Sequence, residues 1–358
     1  MHIIKVFEKT GGFMKRLFVL FFVFALTLSS VCAAENSYSG KRWGFSHMVS
    51  TPGRDFAWSR DGRHLSFRVV VNDISYVYRI RDIWKVIRGQ TLPGKLKTEL
   101  IYTIHSPVKF FKFSPDLTKA AYSVSEGGGY ALYTVTFGMQ KAKRLTYGMA
   151  PEWSPKGDKI AFYFMGNRGK YGIGIINPDG TGLKVLSALG DWNPVWSPDG
   201  KSLAFTSARE YSAGTTEYSN IYVMRLNPLS IMQVTKDKNT YQKNVRWSPV
   251  GRKLVYETFR GIELIDVPPN RRKLIVNAGE YPVGHAFKPF FSPDGRWIFY
   301  RKERGMGIYQ HNTQEEVVIG GSNAWWDTVL GPYGEKIVFS ILGEGRQCGI
   351  WVVEAFDY

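Results

Sequence analysis

Val195-Trp196-Ser197-Pro198-Asp199-Gly200-Lys201-Ser202-Leu203-Ala204-Phe205 decides how this chain folds, because the chain keeps returning to the same phrase. An apolar run ends at Trp196. Pro198 presets φ, Asp199 can bond its own backbone and Gly200 offers a positive-φ position, so together they make a tight turn. Leu203-Ala204-Phe205 then resumes an apolar strand. The phrase recurs as Trp153-Ser154-Pro155-Lys156-Gly157, Trp247-Ser248-Pro249-Val250-Gly251 and Phe291-Ser292-Pro293-Asp294-Gly295. Looser copies are Trp58-Ser59-Arg60-Asp61-Gly62, Phe113-Ser114-Pro115-Asp116 and Leu330-Gly331-Pro332-Tyr333-Gly334, which makes seven.

The aromatic or leucine positions are separated by 55, 40, 43, 51, 44 and 39 residues. A period of about 40–50 residues with four strand signals per unit is the mark of a propeller blade. Lys159-Ile160-Ala161-Phe162 reads as a second strand, Asn220-Ile221-Tyr222-Val223-Met224 as a third and Lys143-Arg144-Leu145-Thr146 as a short fourth. The expected fold is therefore all-β, a seven-bladed propeller of four-stranded antiparallel blades spanning residues 35–358. After the seventh turn only two strand signals remain before Tyr358, so the last unit lacks a fourth strand. Residues near 43–50 stand where every other unit has one, and they are expected to close the ring. Each Trp or Phe before Ser-Pro is expected to wedge between adjacent blades. Insertions at 81–97 and 208–219 read as surface loops.

Composition agrees with a large packed domain: 358 residues, 44% hydrophobic and 15% aromatic. The formal charge of +17 favours anionic neighbours or solubility rather than any particular fold. Residues 14–34 read as a secretory leader, in which Lys15 and Arg16 precede an apolar run and Cys32-Ala33-Ala34 offers the cleavage site. The run is too short to span a bilayer, and translation can start at Met14. Val31 stands where a lipidation signal wants a small residue, so Cys32 is not expected to carry lipid. With residues 1–34 removed, Cys348 is the one thiol left, and the domain is held by packing rather than disulfides.

The run from Trp196 to Ser207 followed by Asn220-Ile221-Tyr222-Val223-Met224 resembles the repeat of the TolB-type propeller family. Ile176-Asn177-Pro178-Asp179-Gly180-Thr181-Gly182-Leu183 looks like that family's turn between third and fourth strands. The resemblance covers residues 45–358 and implies a periplasmic, non-enzymatic protein of an envelope complex. The family's name-giving protein has six blades and a separate amino-terminal domain. This chain has seven units and only some ten residues between leader and first strand.

No Gly-x-Ser-x-Gly elbow, His-Glu-x-x-His, Cys-x-x-Cys or phosphate-binding Gly-rich loop with its Lys occurs, which argues against a hydrolase, a zinc protease or a nucleotide enzyme. The competing reading is a carbohydrate-active enzyme, since oligogalacturonate lyases also use a seven-bladed propeller with a histidine-held metal and acidic sugar substrates. His105 and His285 fall in comparable connections between units and are the weak metal candidates; no short ligand spacing links them. The leading expectation is a binding module without cofactor, monomeric, periplasmic or secreted. Its partner is an envelope protein or an anionic glycan, and nucleic acid is not expected. Candidates on the ligand face are Arg168, Arg209, Arg260 and Arg304 between second and third strands, and Trp192, Tyr281, Trp325 and Trp326 between blades. Arginine and aromatic side chains are the usual anchors of interfaces.

Overall fold

A serine and an aspartate close the turn in the first four repeats and in the sixth. Ser197 donates its N–H to the Ser202 carbonyl at 2.9 Å, and Ser202 N–H returns to Ser197 Oγ at 3.0 Å. Ser197 Oγ also donates to Asp199 Oδ1 at 2.6 Å, which accepts Lys201 N–H at 3.0 Å. Gly200 completes the turn at φ 69°. The same pattern recurs at Ser59, Ser114 and Ser292. Where Lys156 replaces the aspartate, Asp158 takes the Ser154 hydroxyl at 2.7 Å instead. Hydrogen bonding by the serine hydroxyl, then by the backbone N–H, holds Asp61 and Asp199 below the usual carboxylate range. At Asp116 and Asp294 burial pulls the other way, and the serine and backbone donors outweigh it. These carboxylates are therefore turn-formers.

In this computed structural model the described residues are 37–38, 41–49, 53–83, 98–139, 141–166, 170–210, 218–238, 240–269, 271–277, 288–302, 305–310, 313–314, 316–319, 325–330, 336–341 and 349–357. The leader with Cys32, the start at Met14, and Cys348 lie outside them. So does most of each expected surface loop. No helix among the described residues is long and apolar enough to cross a membrane.

The chain opens with β1 (Ser37–Tyr38) and β2 (Lys41–Val49). The first sheet then contains β3 (Arg54–Trp58), β4 (Leu65–Val71), β5 (Ile74–Ile80) and β6 (Thr98–Ile104). The second has β7 (Val108–Phe113), β8 (Lys119–Glu126), β9 (Gly129–Thr136) and the first half of β10 (Lys143–Trp153). The other half of β10 begins the third sheet, with β11 (Ile160–Met165), β12 (Tyr171–Ile176) and β13 (Lys184–Val185). Sequence expects a break after Thr146, but the strand runs on. Gly148 sits at the passage, where a Cβ would come within 2.5 Å of the Phe162 ring.

The fourth sheet is β14 (Asp191–Trp196), β15 (Ser202–Ser207), β16 (Asn220–Leu226) and β17 (Leu229–Gln233). The fifth is β18 (Lys243–Trp247), β19 (Lys253–Thr258), β20 (Gly261–Asp266) and β21 (Arg272–Asn277). The sixth is β22 (Phe290–Phe291), β23 (Trp297–Lys302), β24 (Gly305–Gln310) and β25 (Glu316–Ile319). The last combines β26 (Trp325–Leu330), β27 (Lys336–Ile341) and β28 (Gly349–Asp357) with β2, which pairs antiparallel to β28 in the register Phe45↔Val353. β1 adds two residues beyond β2. Every pairing is antiparallel, as tight turns between sequential strands require.

The cores lie between successive sheets. Trp196, Leu203, Phe205 and Tyr222 of the fourth sheet pack on Ala161, Ile173 and Ile175 of the third. Val195, Ala204 and Val223 of the fourth meet Leu254, Tyr256 and Ile265 of the fifth, with Trp247 against them. Three of the tryptophan wedges also carry a directional bond to the sheet before them. The indole Nε1 of Trp153 donates to the Lys112 carbonyl at 3.1 Å, that of Trp196 to Glu152 at 3.0 Å and that of Trp247 to Val195 at 3.2 Å.

Candidate functional site

In all the sheets but the sixth the first strand is interrupted just before its aromatic residue, or before Leu330 in the last. Register slips between Arg54 and Ala57, Val108 and Phe110, Met149 and Glu152, Trp192 and Val195, Lys243 and Arg246, and Trp325 and Thr328. Asp55, Ala150, Asn193, Asn244 and Lys288, each three residues before the aromatic, have φ between 43° and 54°. Asp and Asn tolerate that left-handed backbone better than other non-glycine residues. Such bulges bend a strand and re-aim its side chains. They fall at the end of the sheets that carries the turns between second and third strands, since Lys243 pairs with Glu257 next to the turn at Phe259 and Arg260.

Four charged groups at this end are buried and answered. Arg68 donates Nε to Asp55 Oδ2 at 2.7 Å and Nη1 to Ser75 Oγ at 2.9 Å, with its guanidinium 5.4 Å from the Phe111 ring of the next sheet. Glu257 accepts Asn244 Nδ2 at 2.8 Å, and Lys243 Nζ lies 3.1 Å away. Glu263 receives the Tyr256 hydroxyl at 2.8 Å and the Arg272 guanidinium, which also grips Asp237 at 2.7 Å. Burial first, then the Glu263 charge, pushes the Tyr256 phenol far up, so it stays a donor. Asp191, 0% exposed, is held by Arg209 at 2.6 Å and by the Ser187 hydroxyl, while its Oδ1 has no hydrogen-bond partner among the described residues.

Several aromatic rings are exposed at this end. Phe110, Tyr147 and Tyr171 are 40%, 45% and 40% exposed. Phe110 meets Tyr130 edge-on at 6.5 Å, Tyr163 stacks on Tyr171 at 6.1 Å, and Arg144 covers Tyr147 at 4.4 Å. Gly127 brings the turn after β8 onto the patch: its Cβ position lies 3.9 Å from the Tyr147 hydroxyl.

The residues singled out from sequence separate in this setting. Arg209 lies over the rings of Tyr222 (4.5 Å) and Phe205 (5.5 Å) and is committed to Asp191. Arg260 is exposed beside Phe259, its charge 5.7 Å from that ring. Trp192 is half-buried next to Asp191, its carbonyl accepting Thr206 Oγ1 at 3.2 Å. Trp325 and Trp326 open β26, where only the backbone is described. Arg168, Arg304, Tyr281 and His285 lie outside the described residues, and His105 is exposed in the connection between β6 and β7. No group of three His, Cys, Asp or Glu among the described residues is placed to share a metal ion. Sequence reasoning missed Phe110, Tyr147, Tyr163 and Tyr171, which belong to strands whose alternation reads as ordinary packing.

Comparison with known proteins follows the same lines. "Tol-Pal system protein TolB" of Alcanivorax borkumensis is 28% identical over 142 residues, 39% of this chain and 29% of that protein. The protein of the same name from Francisella tularensis subsp. mediasiatica is 26% identical over 205 residues, 53% of this chain and 44% of its own length. The chain thus spans less than half the length of these relatives. Among solved structures, oligogalacturonate lyase from Vibrio parahaemolyticus superposes with a TM-score of 0.64 at 9% identity, covering 89% of this chain and 94% of that one, which speaks for the fold alone. The family described as PD40, TolB beta propeller domain, matches residues 112–307, from the second sheet into the sixth. With that match over more than half its length, and with its repeated four-stranded antiparallel sheets, the chain belongs to the TolB β-propeller family.

Proposed function

We propose that this chain is an exported, non-catalytic binding module of the cell envelope, a monomer that takes a protein partner on the end carrying the bulges and the aromatic patch. The leader is residues 1–34 and the module residues 35–358, a closed ring of seven blades. Support for the ring comes from β2 pairing with β28 and from β26 packing beside β3. The observation that carries the function is the disposition of charge. Asp191, Glu257 and Glu263 are each neutralised by a cation of the module itself. A general acid needs a carboxylate that holds its proton near the working pH, whereas the turn aspartates are held low. What remains open to a partner is a rigid surface of tyrosine, phenylalanine and cations, the composition of interface anchors. The relatives' name supports a role in a Tol-Pal type of assembly, and with it a periplasmic or secreted location.

The test pairs two measurements on the purified chain without its leader. Cross-linking in an envelope fraction is expected to capture a defined partner that Tyr171→Ala or Phe110→Ala releases. Oligogalacturonate is expected to gain no ultraviolet absorbance from unsaturated product. Product that depends on His105, together with a stoichiometric metal ion, would overturn the proposal in favour of a lyase.

A further inference from the structure

The end opposite the bulges is built from the turns between first and second strands and between third and fourth, since sequential antiparallel strands alternate in direction. Backbone bonds join the two turns of a sheet: Phe137 N–H donates to the Thr118 carbonyl at 2.9 Å, Leu226 to Lys201 at 3.0 Å and Val267 to Arg252 at 2.7 Å. Neighbouring sheets touch here as well. The Cβ position of Gly157 lies 3.5 Å from Pro115 and that of Gly200 3.7 Å from Pro155, while that of Gly180 lies 3.5 Å from Leu145 and Lys143. Thr134 Oγ1 donates to the Pro178 carbonyl at 2.9 Å, and the Trp247 indole reaches the Val195 carbonyl beside the turn of the fourth sheet. The turns of the second to fifth sheets therefore form one continuous surface.

Large apolar side chains stand exposed on it in each of these four sheets: Met139 (64%), Leu183 (47%) and Leu229 (53%) in turns between third and fourth strands, and Val250 (53%) between first and second. Each has an exposed cation close by in sequence, Lys141 after Met139, Lys184 after Leu183, Arg225 before Leu229 and Arg252 after Val250. None of these four cations forms an ion pair among the described residues. Over the turn segments 114–119, 137–143, 154–159, 177–184, 197–201, 225–230, 248–253 and 266–271 there are eleven Lys and Arg against five Asp, so the surface is positive. The aspartates are already engaged. Asp116, Asp179 and Asp199 accept N–H and hydroxyl groups of their own turns, Asp158 takes the Ser154 hydroxyl and Asp266 pairs with Lys253.

One exposed apolar residue is ordinary. Four on successive sheets, each beside a cation and separated from the next by polar turn residues, make no groove for a folded partner. They suit a fluid boundary that each tip enters by itself while the cations stay at its charged edge. An anionic bilayer offers both parts, since its headgroups attract Lys and Arg and its acyl boundary takes up apolar side chains. We propose that this end docks on the surface of a bilayer containing anionic lipid, with Met139, Leu183, Leu229 and Val250 below the headgroups and Lys141, Lys184, Arg225 and Arg252 among the phosphates. The aromatic patch of the bulged end then faces away from the membrane, open to a partner. The two ends act independently, so lipid docking stands whether or not that patch takes a protein.

The experiment is cosedimentation of the chain lacking its leader with vesicles of phosphatidylcholine alone, and of phosphatidylcholine with phosphatidylglycerol at about 3:1. Binding is expected only to the anionic vesicles and is expected to weaken with salt. Leu183→Ser with Leu229→Ser is expected to bind at least about tenfold more weakly, and so is Lys184→Glu with Arg252→Glu. Leu189→Ser with Lys109→Glu, a matched exposed pair at the bulged end, is expected to leave binding unchanged. Should the serine variant fold poorly, Leu183→Ala with Leu229→Ala replaces it and is read the same way. Parent-like binding by the leucine variant, or an equal loss with the bulged-end pair, means diffuse attraction and overturns the proposal. Equal binding to phosphatidylcholine alone overturns it too. A dimer in size-exclusion chromatography that the leucine variant breaks, with no binding to vesicles, means that the tips meet a second copy and likewise overturns it. A partner cross-linked through Phe110 and Tyr171 without vesicle binding defeats this inference and leaves the binding-module reading intact; vesicle binding without such a partner does the reverse.

Discussion

Arg209 and Arg260 look alike in sequence, each an arginine between second and third strands of its repeat, yet they do opposite work. Arg209, 19% exposed, is the cation that holds a fully buried Asp191. Removing one partner of a buried pair strands the other charge, so Arg209→Ala is expected to cost about 3–5 kcal/mol. Arg260 is exposed, and among the described residues its guanidinium meets the Phe259 ring while its backbone N–H donates to Thr258 Oγ1, so Arg260→Ala is expected to stay within about 0.5 kcal/mol. Urea midpoints of the two variants decide it, and a similar cost for both would mean that the Asp191 pair is not structural. The turn aspartates add a pH dependence of definite sign. Asp61 and Asp199 hold their protons less tightly folded than unfolded, so their contribution is complete above the unfolded value of about 4 and is lost as pH falls through the lower folded value. Melting temperature is expected to drop between pH 5 and pH 3, both about, and to drop less in the double variant Asp61→Asn, Asp199→Asn. An identical acid limb in that variant would remove the turns from the explanation.

At the scale of elements, the wedge between sheets separates two contributions. Trp196→Phe keeps a large ring but loses the bond to the Glu152 carbonyl, an expected cost of about 1–2 kcal/mol. Trp196→Ala opens a cavity against Ala161 and Ile175 as well, at about 3–5 kcal/mol. Equal costs by chemical denaturation would leave the indole N–H without a role. The wedge, the turn and the strand order were legible because each depends on neighbours in sequence: Pro, Gly and Asp act within a few residues, and alternation acts within a strand. The run of β10 through Gly148 was not legible, since it depends on how Phe162 approaches from another strand. Nor was the capture of Arg209 by Asp191, eighteen residues away in the chain. The bulges were half legible. Asp55, Asn193 and Asn244 stand at one repeat position, but Ala150 and Lys288 occupy it too, and only the backbone reveals the shared conformation. Of the candidate face, arginines in turns were easy to read, whereas the Phe110, Tyr147 and Tyr171 patch needed burial to distinguish it from core.

For the molecule as a whole, the question is how the first sheet meets the last. Trp153, Trp196 and Trp247 each reach a carbonyl of the preceding sheet, and the Nε1 of Trp58, the corresponding residue of the first sheet, is buried without a partner among the described residues. In a closed ring its predecessor is β26, already packed beside β3. The carbonyl in the matching position belongs to Val329, one residue before Leu330, as Lys112 stands before Phe113. In the proposed ring the seam is fastened from the other direction by β2, which pairs with β28 as the fourth strand of the last sheet beside β26 and β27. Deleting residues 37–49 takes that strand away and leaves the edge of β28 unpaired, which costs stability and invites association through the open edge. The deleted chain is expected to melt several degrees lower and to elute as larger species in size-exclusion chromatography. The proposed contact patch of Phe110, Tyr147 and Tyr171, on the second and third sheets, is expected to keep its affinity for partner at temperatures where the shortened chain stays folded. An unchanged melting temperature would mean that the sheets form an open array whose ends do not depend on each other, and the proposed ring would have to be abandoned.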